Sequence, residues 1–162
     1  MDNITIERIK TMHPLLRDAL MQDYLNINRQ LPKGIRLRFA YTYRTNEEQD
    51  KLFHQKPKVT NSKGGQSIHN YGLAFDIVIL VDNDNNGTFE SISYLNDKHW
   101  QAVTTFFKSK GWVCGADWKS FKDAPHFEQA FGNTWQTLKA KIDKGEKIVE
   151  TINGIKYTYP KI

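Results

Sequence analysis

The 162-residue chain carries 23 Lys and Arg against 18 Asp and Glu, formally +5, with 25% charged and 12% aromatic residues. That size fits one domain with a real core, and that composition excludes a disordered chain. The modest basic excess suits a polyanionic surface without selecting one; the single Cys114 excludes an internal disulfide, and no apolar run reaches membrane-spanning length.

The first ten residues lack the basic-then-apolar pattern of a secretory signal, so the expectation is a soluble chain made in the cytoplasm. Leu16, Leu20, Tyr24 and Ile27 recur near helical spacing and predict a helix over 14–29, with Pro14 in its first turn. Residues 35–41 alternate apolar and polar, the pattern of a strand with one buried face. Thr45 or Asn46 then caps a short helix running to residue 55, with Leu52 and Phe53 inward. Residues 56–66, rich in Lys, Gly, Ser and Asn, read as a loop. Residues 73–81 are almost continuously apolar and predict a central strand. A turn cluster over 82–87 precedes a helix over 96–110, stopped by Gly111. A short strand at 125–129, a helix over 134–144 and a hairpin around Asn153-Gly154 complete the chain. With no repeat, no linker and no regular βαβ alternation, the expected class is α+β: a small, mostly antiparallel sheet with surrounding helices, in one domain over 1–162.

Asp76 is the feature that needs explaining. A carboxylate inside Ala-Phe-Asp-Ile-Val-Ile-Leu-Val is costly to bury unless it is paired or bound to metal. His69 lies seven residues earlier, and His126 follows Asp123 by three. Zinc accepts imidazole and carboxylate together, and a catalytic site needs only three protein ligands and an open position for water. Spacing alone leaves a metal site and a set of hydrogen-bonded structural side chains evenly balanced. Cys114 reads as a small buried thiol; His13, His54 and His99, beside charged helical segments, read as surface residues. Tyr71, Trp112, Trp118 and Phe127 read mostly as core, with one or two free to line a groove.

Ser67-Ile-His69-Asn-Tyr-Gly-Leu-Ala-Phe-Asp76 resembles the Ser-x-His-x(6)-Asp signature of zinc D-alanyl-D-alanine carboxypeptidases and dipeptidases, and still more the L-alanyl-D-glutamate peptidases of phage endolysins and bacterial autolysins. The likeness begins at Tyr43-Arg44-Thr45-x-x-Glu-Gln49 and continues through Gly115-Ala-Asp117-Trp118 to Asp123-x-Pro125-His126-Phe127-Glu128. It spans about residues 35–130 and leaves the helix and hairpin of 134–160 outside. It implies zinc ligands at His69, Asp76 and His126, a general base at Asp123, a cation near the substrate carbonyl at Arg44, and a substrate contact at Ser67. Ala116 departs from it where a second glycine is expected. The implied activity is hydrolysis of the peptide stem of peptidoglycan, first as an L-alanyl-D-glutamate endopeptidase, with a D-alanyl-D-alanine carboxypeptidase or dipeptidase as alternative. A non-catalytic zinc module, on a fold similar to hedgehog signalling domains, is an alternative of another class. The expected enzyme is a monomer that binds neither nucleic acid nor membrane and reaches the wall through a separate pore.

A second, incomplete metal pattern follows the central strand. Asp82, Asp84, Asn86, Thr88 and Glu90 resemble part of a calcium loop, but Ser93 stands where a bidentate glutamate belongs. An Asx-rich turn is the preferred reading, with calcium as its alternative.

Overall fold

The computed structural model describes residues 1–162. Its elements run α1 (Asn3–Ile9), α2 (Arg17–Gln30), β1 (Ile35–Tyr41), α3 (Asn46–His54), β2 (Ala74–Val81) and β3 (Ser91–Ile92). There follow α4 (Lys98–Ser109), β4 (Val113–Cys114), β5 (His126–Glu128), α5 (Trp135–Asp143), β6 (Lys147–Ile152) and β7 (Ile155–Pro160). Single 3-10 turns at Ile68–Tyr71 and Gly115–Asp117 complete the list.

The fold is α+β. The main sheet is antiparallel throughout, in the order β1-β2-β5-β4, with β3 also paired to β2; β6 and β7 form a separate hairpin. One face of the main sheet builds the core. Leu37, Phe39, Phe75, Ile77, Ile79 and Phe127 pack there against Leu20, Tyr24 and Ile27 of α2 and Trp100, Val103 and Phe107 of α4. The rings of Phe39 and Phe75 stack at 4.2 Å across β1 and β2, and Phe127 stacks on Phe75 from β5 at 5.3 Å. Cross-strand aromatic contacts of this kind hold three strands in register.

Register then decides what the other face carries. Asp76 stands opposite His126, so both side chains leave the sheet on the face away from the core. Phe39 stands opposite Ile77, but the next aligned pair is Tyr41 with Asp76. The extra residue, Ala40, is a β-bulge that turns Tyr41 from the core face to the face of Asp76.

The elements expected from pattern are present, with ends moved by one to three residues. Residues 14–16 form a turn rather than the start of α2. The Thr45 cap is a full capping box: its hydroxyl accepts from the Glu48 amide at 3.1 Å, and Glu48 accepts from the Thr45 amide at 2.8 Å. α1 is an addition, held by an Asp2 carboxylate that caps Thr5 and pairs with Arg38 at 2.8 Å. β3 and β4 are two residues each, too short to show alternation.

One reading fails. His13 is not at the surface but fully buried. Its Nε2 donates to the Pro160 carbonyl at 2.8 Å and its Nδ1 accepts from the Leu15 amide at 3.2 Å, tying the α1–α2 junction to the end of the chain. A partner 147 residues away leaves no mark on the local charge pattern.

Candidate metal centre and active site

Each candidate ligand is delivered by a different local device. Asp76 comes from β2 and His126 from β5, as a cross-strand pair. His69 rides on the 3-10 turn, which Ser67 caps by accepting from the His69 amide and Gly72 closes in the left-handed region at φ 69. A side chain at Gly72 would collide with Tyr159 and the His13 amide, at 2.8 and 2.9 Å. Thus the turn is seated against the hairpin and the α1–α2 junction.

The three side chains meet at one point. His69 Nε2 lies 3.1 Å from Asp76 Oδ1 and 3.2 Å from His126 Nδ1, and His126 Nδ1 lies 3.1 Å from Asp76 Oδ1. Their outer atoms settle which ring nitrogens are bare. His69 Nδ1 donates to the Thr42 carbonyl at 2.7 Å, and His126 Nε2 donates to Glu128 at 2.8 Å. In the neutral tautomers, Nε2 of His69 and Nδ1 of His126 therefore present lone pairs, as does the carboxylate. Three lone pairs aimed at one buried point are satisfied only by positive charge there. A tetrahedral ion with bonds of about 2.0 Å separates its ligand atoms by about 3.3 Å, close to the spacing found. The residues fit a metal.

The electrostatics carry the same demand. Burial works to raise Asp76, yet the charge of His69 and the hydrogen bond from His126 hold it well below the usual carboxylate range. Burial pulls His126 down, but its bonds to Asp76 and Glu128 outweigh that and push it up to about 9. A proton on His126 stands in for the charge that a metal supplies.

Arg44 and Asp123 frame this point. Arg44 Nη2 lies 3.9 Å from Asp76 Oδ2, and Arg44 Nη1 donates to Gln49 Oε1 at 2.9 Å. Gln49 is fully buried and gives its amide to the Ser62 carbonyl at 2.8 Å, so the guanidinium is held from behind by α3 and the following loop. Asp123 precedes β5, with its amide on the Gly115 carbonyl and its own carbonyl taking the His126 amide. Burial and the charge of Asp76 raise its carboxyl above the ordinary range. A Cβ at Gly115 would sit 2.3 Å from the Asp123 carbonyl oxygen. The close approach is thus at 115, while Ala116 packs against the core, so the departure at 116 disturbs nothing. The Trp118 ring lies 5.1 Å from that of His126 and lines the site; Tyr71, Trp112 and Phe127 are core.

Thr42, Gln49 and Glu128, which orient the ligands and Arg44, carry no role in the sequence reading. Glu128 had a signal: an offset of two along a strand puts it on the face of His126. Ser67 is seen capping its turn. Cys114 is buried, its thiol pushed up by that burial, which removes it as a nucleophile.

The second acidic group is an Asx-rich turn. Asp82, Asp84 and Glu90 bring oxygens within 4.8 Å of one another, and each accepts from groups of its own loop. Asp82 accepts from the Asn86 and Gly87 amides, Asp84 from Asn86, and Glu90 from the Asn83 amide and the Thr88 hydroxyl. Ser93 belongs to the sheet edge, its amide on the Ile79 carbonyl.

Comparison with known proteins places the chain. The family model of D-alanyl-D-alanine carboxypeptidase matches residues 60–129, which include His69, Asp76, Asp123 and His126. The peptidoglycan L-alanyl-D-glutamate endopeptidase CwlK of Bacillus subtilis is 35% identical over 132 residues, 72% of this chain and 72% of that protein. The L-Ala D-Glu endopeptidase ChiX of Serratia marcescens shares the fold, with a TM-score of 0.54 at 20% identity, over 81% of this chain and 90% of that one. A metal-ready cluster within the matched segment, and a relative alike over most of its length, make the chain a member of the metallopeptidase family of D-alanyl-D-alanine carboxypeptidases and L-alanyl-D-glutamate endopeptidases.

Proposed function

We propose that the chain is a zinc L-alanyl-D-glutamate endopeptidase that cuts the peptide stem of peptidoglycan. The observation that carries the reading is the convergence of three lone pairs from His69, Asp76 and His126 at mutual distances of 3.1 to 3.2 Å. Two nitrogens and one carboxylate oxygen suit zinc, and leave a fourth position for water. Zinc bound there supplies a water acidic enough to ionise near neutral pH and polarises the scissile carbonyl.

The chain's own groups do the rest. Asp123, with its raised pKa, takes the proton of the attacking water and returns it to the departing amine. Arg44, pinned by Gln49, donates to the carbonyl oxygen as negative charge develops on it. Thr42 and Glu128 keep both imidazoles in the tautomer that offers a lone pair inward. Ser67 stands beside His69 as a contact for the substrate main chain. No covalent intermediate is needed. Calcium has no part in this reading, in which Asp82 and its neighbours close an Asx-rich turn on its own amides. No helix is long and apolar enough to cross a membrane, and the enzyme is taken to work as a monomer on the polymer.

The test is mass spectrometry of muropeptides after incubation with zinc-loaded protein. New termini between L-alanine and D-glutamate are expected; loss of a terminal D-alanine instead would assign the carboxypeptidase activity, and no cut at all would leave a binding module. His69→Ala is expected to lose zinc and hydrolysis together. Asp123→Asn should keep its zinc while kcat falls about 10²–10⁴-fold; near-normal turnover would remove Asp123 from the mechanism.

A further inference from the structure

A cavity of about 890 Å³ opens beside the proposed metal centre, and its walls come from parts of the chain that lie outside the matched segment. Arg8 of α1, Tyr41 and Arg44 at the end of β1, Glu48 and Lys51 of α3, and Tyr157 of β7 all line it. Its charge is unbalanced. Three cations face one acid, and Glu48 is engaged by the Thr45 amide in the capping box. Arg8 gives one N–H to the Phe39 carbonyl at 2.6 Å, and neither Arg8 nor Lys51 pairs with any carboxylate of the protein.

The cavity adjoins the proposed metal centre through Thr42 and Arg44. The bulge at Ala40 puts Tyr41 on the face of Asp76, and the Arg44 guanidinium sits over the Tyr41 ring at 5.4 Å while reaching Asp76. Uncompensated cations flanked by aromatic walls, beside the proposed metal centre, are suited to an anion carried by the substrate itself. We propose that this cavity is a subsite for a carboxylate of the substrate peptide, gripped by Arg8 and Lys51 while Arg44 serves the reacting carbonyl. The inference rests on the endopeptidase reading above. A peptide containing L-alanyl-D-glutamate carries two such groups, the free carboxylate of the glutamyl residue and the carboxylate at the peptide's C-terminus.

The experiment uses the zinc-loaded protein and three synthetic stem peptides: the parent, one with the glutamyl carboxylate converted to its amide, and one with the C-terminal carboxylate amidated. For the wild type, one amidation is expected to lower kcat/KM roughly tenfold, which identifies the carboxylate bound. In Arg8→Ala/Lys51→Ala the parent should lose a similar factor, mainly through KM, and that amidation should then cost nothing further. Lys51→Ala alone, on an exposed helical position, should show part of the same pattern and guards against a folding defect in the double variant. Wild-type kcat/KM for the parent in both variants, or an amidation penalty that persists unchanged in them, overturns the subsite. A wild type that cuts no peptide at all overturns the endopeptidase reading, and the subsite falls with it.

Discussion

At the scale of single residues, the cost of burying Asp76 orders its surroundings. An ionised carboxylate beside the core needs compensation, and the two imidazoles that supply it are themselves fixed by Thr42 and Glu128. Gln49 extends the same logic to Arg44, because a buried amide that both accepts from the guanidinium and donates to Ser62 holds the cation without neutralising it. Gln49→Leu is therefore expected to keep zinc and fold but lower kcat about tenfold or more, with little change in KM. Gln49→Glu, which retains the acceptor, should recover part of the loss; steady-state kinetics with metal analysis checks both. Asp76 stood out in the sequence as an acid in an apolar strand, but spacing left a metal site and a structural cluster evenly balanced, and the set of His69, Asp76, His126 and Asp123 came only through the family resemblance. Thr42 was not, because it acts through a backbone carbonyl that any residue carries.

Elements show the complementary limit. Helices and strands long enough to display a period were readable, whereas α1, β3 and β4 were too short, and the bulge at Ala40 shows only in the pairing. His13 was misread because what surrounds it comes from the far end of the chain. That misreading carries a pH consequence. Burial holds the folded-state pKa of His13 below 6.5, against a smaller upward pull from Pro160, and its Nδ1 is occupied as an acceptor. Below pH 6.5 the unfolded chain takes up the proton and the folded one resists it, so this contribution is complete above 6.5 and is lost as pH falls toward the folded value. The slope cannot exceed about 1.4 kcal/mol per pH unit from this one group. Thermal melts of the zinc-loaded protein from pH 8 to 5 should show a steeper decline for wild type than for His13→Gln, which cannot titrate. Parallel curves would mean that His13 is protonated in the fold.

For the whole molecule, the hairpin of β6 and β7 is the part that the sequence left without a purpose. Tyr159 is fully buried, donates to the Thr11 carbonyl at 2.9 Å and receives Arg17 at 3.0 Å, while Arg17 also pairs with Glu150. The hairpin thus joins α1 and α2 behind Gly72, directly beneath the turn that carries His69. A chain ending at residue 133 would keep every proposed ligand, Arg44 and Asp123, yet lose that backing together with Leu138 of the core. Such a truncation is expected to melt well below the full chain and to bind zinc far more weakly, as read by calorimetry; wild-type affinity would show the hairpin to be dispensable. The same geometry orders events in time. Synthesis proceeds from the N-terminus at a few residues per second or more, so His126 is made before the strand that seats His69. A nascent chain that has not yet reached β7 holds every candidate ligand but lacks the backing behind the turn that carries His69. Pairing of β6 with β7 is thus the late event on which the seat of His69 waits.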